Sequence, residues 1–263
     1  MAALGPVRFG IPPLVILLIS SGCDDHRRPS PVLAVNTNSA ASLPHPSSAG
    51  TPPVPSGVST SNVPINPTAV GEQVTALNNE GNAFFEKRQF EKAIERYSKA
   101  MELNPDDENT HYNLGAACGK LGRKNEAIQH YREALRLFPE FSEVHNNLGN
   151  ILSSQGSYPE AIEHFNAAIK NNAESASAHN NLGTALGLSG RVSEAIPHFS
   201  KAIQINPGYT EAYVNLGNSY LTQGRIEESI AQFSTALRMQ PDFVPAQKAL
   251  ARARQKLAIQ SAR

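Results

Sequence analysis

The chain has 263 residues, 17% of them charged, and its 23 basic and 23 acidic side chains leave no net formal charge. Without a continuous basic stripe this balance argues against a phosphate-tracking nucleic-acid binder. Two cysteines in such a length exclude a disulfide framework.

Residues 1–22 read as a targeting segment. Met1 to Arg8 carries one cationic side chain, and Ile11 to Ile19 is apolar apart from Pro12 and Pro13. Ser20, Ser21 and Gly22 then lead into Cys23. The apolar run is shorter than the roughly 20 residues of a spanning helix. The arrangement resembles a bacterial lipoprotein signal, with Ser20 where that family usually has Leu. The resemblance implies that Cys23 becomes the lipidated first residue of the mature chain, carrying the several acyl chains that stable anchoring requires. Asp24 and Asp25 resemble an inner-membrane retention signal, though the final membrane, inner or outer, stays open. An ordinary secretory signal and an uncleaved anchor are the alternatives.

Residues 23–73 are expected to be a disordered linker. From Pro29 to Gly71 no residue is charged, and proline, serine, threonine, asparagine and alanine dominate. This composition buries too little apolar surface to offset chain entropy. About 50 such residues reach roughly 40 Å as a flexible coil.

From Val74 onward one pattern recurs every 34 residues, as the spacing of Gly81, Gly115, Gly149, Gly183 and Gly217 shows. Ala93, Ala127, Ala161, Ala195 and Ser229 form a second column. Tyr97, Tyr131, Phe165, Phe199 and Phe233 form a third, then Ala100, Ala134, Ala168, Ala202 and Ala236, then Pro105, Pro139, Ala173, Pro207 and Pro241. Within a unit, Ala127, Ile128, Tyr131, Ala134 and Leu135 recur at the three- and four-residue spacing of an amphipathic helix. An upstream helix is expected over 109–121, with Leu114, Gly115 and Cys118 inward. Gly122, Gly156, Gly190 and Gly224 follow that helix where a left-handed residue closes it.

These columns resemble the tetratricopeptide repeat family. The resemblance implies an all-α, right-handed superhelical solenoid of five helix-turn-helix repeats over 74–107, 108–141, 142–175, 176–209 and 210–243, with a capping helix over 244–263. In the cap, Ala246, Leu250, Ala251 and Leu257 suit burial, whereas Lys248, Arg252, Arg254, Gln255 and Lys256 suit solvent. Pro197 lies early in a second helix, where it removes a donor, and Ala173 replaces a closing proline. A slight bend near the third and fourth repeats is the expected result.

In the family, first helices line a concave groove. Here that groove carries a ladder of amides at Asn79, Asn113, Asn147, Asn181 and Asn215, joined by Asn82, Asn150 and Asn218 and by Asn78, Asn146 and Asn180. Amides donate and accept, so a ladder can hold an extended peptide backbone. It resembles the repeat region of O-linked N-acetylglucosamine transferases, without a catalytic domain after the repeats. Hydrogen bonding between repeats is the alternative role. Capture of a partner's terminal carboxylates is disfavoured, because Thr75, Asn78, Asn109, Glu143 and Ser177 supply no cation.

His111, His145 and His179 form one further column and His130, His164 and His198 another. Equivalent residues of adjacent repeats lie roughly 10 Å apart at helix packing distances, too far to share one metal ion, so packing is the expected role and no metal site is assigned. A weak pH sensitivity is a corollary. Cys118 reads as a buried free thiol.

No phosphate-binding loop, His-Glu-x-x-His, Cys-x-x-Cys or nucleophile elbow occurs. An enzyme is therefore disfavoured, and neither a cofactor nor a small-molecule substrate is expected. The expected function is a membrane-tethered scaffold binding a protein or extended peptide in its groove, outside the cytoplasm of a bacterial envelope. Assembly of pilus or secretion machinery, presentation of substrates to an envelope protease, and an unprocessed cytosolic assembly factor are the alternatives.

Overall fold

The computed structural model describes residues 67–262. Cys23, the targeting segment and most of the linker lie outside the described residues. Eleven helices and no strands are present among those described. They run α1 (Pro67–Glu86), α2 (Phe90–Leu103), α3 (Glu108–Lys120), α4 (Lys124–Leu137), α5 (Ser142–Ser154), α6 (Tyr158–Asn171), α7 (Ala176–Leu188), α8 (Val192–Ile205), α9 (Thr210–Thr222), α10 (Ile226–Met239) and α11 (Val244–Ser261). Five antiparallel pairs stack into a solenoid, and α11 packs on the last pair.

Two boundaries differ from the sequence reading. Helix α1 begins at Pro67, inside the segment expected as linker, because proline suits the first turn of a helix. Helix α3 spans Glu108–Lys120, one residue earlier at each end than expected, because the Asp107 side chain caps it by accepting from the Thr110 amide at 2.7 Å.

Each pair closes through the same turn. Gly122, Gly156, Gly190 and Gly224 adopt φ between 75° and 85°, the left-handed conformation that glycine reaches without a Cβ penalty. In the first repeat Arg88 occupies this position with φ 59°. The turn is therefore common to all five units, although only four advertise it by glycine.

The core follows the columns. Tyr97, Tyr131, Phe165, Phe199 and Phe233 are all buried, and each presses its ring on the glycine of the facing helix. A Cβ built on Gly149 would stand 2.7 Å from Phe165 Cε1, closer than packed atoms tolerate. Small residues at the alanine columns let the helices approach. Each buried ring removes enough apolar surface from water to contribute roughly 1.5–3 kcal/mol.

Helix α8 runs unbroken through Pro197, which is exposed. In α11 the buried stripe is Ala246, Ala249, Leu250 and Ala253, with Leu257 half-buried and Ala251 exposed. The expected stripe thus shifts, because the 3.6-residue period carries the buried face from Ala249 to Ala253 past Ala251.

Among the described residues the odd-numbered helices of successive repeats approach closely along their backbones, whereas the even-numbered ones stand farther apart and meet through side chains, as in the 3.4 Å pair of Arg132 on α4 with Glu160 on α6. The stack therefore curves toward the odd helices. They form its inner face, and the even helices form the outer one. Among the described residues no helix is long and apolar enough to cross a membrane.

Candidate functional site

The inner face carries the amide ladder, which the structure grades along its length. Asn79 is exposed, Asn82, Asn113, Asn147 and Asn150 are half-buried, and Asn181, Asn215 and Asn218 are buried. Asn113 Nδ2 donates to Asn78 Oδ1 at 3.4 Å, Asn181 Nδ2 to Asn146 Oδ1 at 3.1 Å, and Asn215 Nδ2 to Asn180 Oδ1 at 3.0 Å. Every one of these bonds links residues 35 apart, one more than the repeat length. The side chain of one repeat thus reaches diagonally to the preceding inner helix. The position 35 before Asn147 is Tyr112, which has no amide to offer.

Other members are held by neighbouring groups. Asn82 Oδ1 accepts from the Tyr97 hydroxyl at 2.8 Å, and Asn78 Nδ2 donates to Thr110 Oγ1 at 2.8 Å. Asn215 Nδ2 also lies 3.4 Å from Thr184 Oγ1. Inter-repeat bonding is therefore visible directly in the ladder. An amide has two donors and an oxygen with two lone pairs, so stapling a neighbour and bonding a peptide are compatible at the accessible Asn79, Asn82, Asn113, Asn147 and Asn150, whereas burial leaves Asn181, Asn215 and Asn218 a structural role in place of the peptide contact expected of them.

The carboxyl-terminal end of the inner face is cationic. Arg252 Nη2 donates to Asn218 Oδ1 at 3.1 Å, and Lys256 Nζ donates to the Leu221 carbonyl at 3.4 Å, near the negative end of the α9 dipole. Together with Leu221, Gln255 and Ile259 they line a shallow cavity. Both residues are solvent-exposed, as the sequence suggests, and they also bond the preceding inner helix. The register signal was present, since Arg252 lies 34 residues after Asn218.

The two histidine columns meet within each repeat. Nδ1 of His111 lies 3.2 Å from Nδ1 of His130; the corresponding distances are 2.9 Å for His145–His164 and 3.3 Å for His179–His198. The comparison across repeats in the sequence reading overlooked this pairing. Residues 19 apart face each other across a helix pair, as Tyr112 and Tyr131 also do. Burial, and then the neighbouring histidine, hold His130, His164 and His198 below the ordinary imidazole range. Burial does the same to His179, against the Ala173 carbonyl, which favours its charged form.

Cys118 is buried and its thiol is pushed up by desolvation, which suppresses thiolate reactivity. Among the described residues no three histidine, cysteine, aspartate or glutamate side chains converge as a metal site.

Models of the tetratricopeptide repeat match residues 109–141, 146–210 and 188–253, and a further TPR repeat model matches 81–122. A crystal structure of MamA protein is 28% identical, covers 65% of this chain and 93% of its own, and superposes with a TM-score of 0.58. YrrB, described as "a TPR protein with an unusual peptide-binding site", is 24% identical, covering 69% and 95% of the two chains with a TM-score of 0.58. PilF of Pseudomonas aeruginosa is 18% identical, covering 72% and 92% with a TM-score of 0.60. No curated protein matches the chain.

Proposed function

We propose that this chain, which belongs to the tetratricopeptide repeat family, is a protein-interaction scaffold that holds an extended peptide or partner segment along its inner face. The carrying observation is the ladder of amides on five successive inner helices, spaced by one repeat and fixed at Asn113, Asn181 and Asn215 by bonds to the preceding inner helix. Side chains held in this way lose little rotamer freedom on binding, which lowers the entropic cost of recognition. Backbone-directed amides give affinity without strict side-chain selection. The family consists typically of non-enzymatic scaffolds, consistent with display and docking as the mode of action.

The context of Cys23 supports a tether. A lipidated Cys23 followed by a linker uncharged from Pro29 to Gly71 would place the repeats off a bacterial envelope membrane, outside the cytoplasm. Roles in assembling pilus or secretion machinery, or in presenting substrates to an envelope protease, fit the same layout.

Affinity capture with the full chain tests the groove. A partner retained by wild type and lost from Asn79→Ala/Asn113→Ala/Asn147→Ala, all away from the buried end of the ladder, would locate binding on the inner face. Equal retention would refute it, provided circular dichroism shows both chains folded. Metabolic labelling with a radioactive fatty acid tests the tether, since label must disappear in Cys23→Ser.

A further inference from the structure

The hydrogen-bond partners of the histidine pairs determine their protonation. His111 Nε2 lies 3.0 Å from the Pro105 carbonyl, His145 Nε2 3.0 Å from that of Pro139, and His179 Nε2 3.2 Å from that of Ala173. A carbonyl only accepts, so these Nε2 atoms carry hydrogen. In the cap, Gln247 occupies the same column and its Nε2 donates to the Pro241 carbonyl at 2.8 Å. Donation to this turn carbonyl is thus a property of the position. The neutral first histidine then has a bare Nδ1, and the partner's Nδ1 must carry the hydrogen that closes the contact.

From this arrangement we infer that the three central repeats form a proton-sensitive joint in the solenoid. A neutral pair holds its helices together through one N–H···N bond. A first proton enters at Nε2 of the outer-helix histidine, His130, His164 or His198, and leaves the bond intact. A second proton would place two N–H groups head to head at about 3 Å, so it enters only if the helices part. The two titrations are therefore properties of the pair.

The surroundings temper but do not remove the effect. Glu126 attracts a proton to His130, while His111 opposes it. Around His164, Glu160 and Glu163 attract, whereas His145 and Arg132 of α4 oppose. Lys201 of α8 opposes charge on His179 and Glu174 favours it, and for His198 the opposing and favouring groups are His179 and Glu194. Burial is the leading cause in all four.

The flanking repeats lack the device. Their equivalent pairs are Leu77 with Arg96 and Tyr213 with Gln232, none of which is an imidazole. Solenoid stability is close to a sum of repeats and their interfaces. Loosening the centre would uncouple two ends that remain folded.

Because the folded-state proton affinity of His130, His164, His179 and His198 is depressed, the unfolded chain binds more protons on acidification, and stability is lost as pH falls below the ordinary imidazole value of about 6.5. Between about pH 7.5 and about pH 5.5 each excluded proton raises the unfolding constant roughly tenfold, or about a thousandfold for three pairs. Nitrogen-15 imidazole spectra of the full chain across this range are the first test. Expected are Nε2–H on His111, His145 and His179, Nδ1–H on their partners, and split titrations with one step of each pair displaced to acid pH. Six independent titrations near the free value would overturn the joint. Denaturant unfolding of His130→Asn/His164→Asn/His198→Asn is the second, since an asparagine amide can offer either donor or acceptor and does not titrate. Loss of most of the acid slope supports the joint, and an unchanged slope refutes it. Should that variant not fold, the spectra decide alone.

Discussion

Substituting Gly149→Ala forces a conflict whose size can be worked from the helix interface. The new Cβ would lie 2.7, 2.9 and 3.0 Å from Cε1, Cδ1 and Cζ of Phe165, and that ring is 1% exposed with little room to retreat. Overpacking of this kind costs about 1–3 kcal/mol, against a helix-propensity gain of about 1 kcal/mol. The net effect in wild type is therefore between nothing and a loss of about 2 kcal/mol. In a Phe165→Leu background the ring edge is absent, so only the gain remains. A double-mutant cycle by urea unfolding should then give a coupling energy of about 1–3 kcal/mol. Gly119→Ala is the control, since its Cβ meets nothing within 4 Å and should stabilise by up to about 1 kcal/mol. Additivity of the Gly149 and Phe165 changes within about 0.5 kcal/mol would refute the claim that glycine is required there by the ring.

Asn215→Ala removes a buried amide that bonds Asn180 and Thr184, and chemical denaturation should show a loss of about 1–3 kcal/mol; Asn113→Ala, half-buried with a bond at 3.4 Å, should cost less than about 1 kcal/mol. Arg88→Gly relieves a left-handed backbone at an exposed site and should stabilise the chain by up to about 1 kcal/mol, read as a higher midpoint in urea unfolding. Pro197→Ala restores a helix donor on an exposed face and should stabilise α8, seen as slower amide exchange across Ser193 to Ser200. Cys118 should react slowly with a thiol reagent in the native chain and rapidly in denaturant; equal rates would mean that the thiol is not buried.

The solenoid was legible because its packing constraints repeat. A glycine under a ring, or an alanine between helices, is ambiguous once but unambiguous five times at one spacing. Arg88 carries no turn signal of its own, so only the 34-residue register places its turn. Sequence also located the amides but did not rank their burial, which depends on diagonal contacts between residues 35 apart. The histidine pairs were missed for a related reason: columns were compared along the stack, whereas the contact runs across one helix pair. Arg252 and Lys256 are solvent-exposed as their charge suggests, but their bonds to α9 depend on α11 continuing the inner face, which composition does not show.

The closer approach of the inner helices also gives the solenoid a mechanical character. They behave as a spine of nearly constant length, while the outer helices, farther apart and joined by side chains such as Arg132 and Glu160, fan like the edges of pages. When the rod flexes, strain accumulates at the outer edge and the neutral line runs along the inner face. A partner lying on that line would feel little change in spacing as the rod bends, so the scaffold could yield to load without letting go.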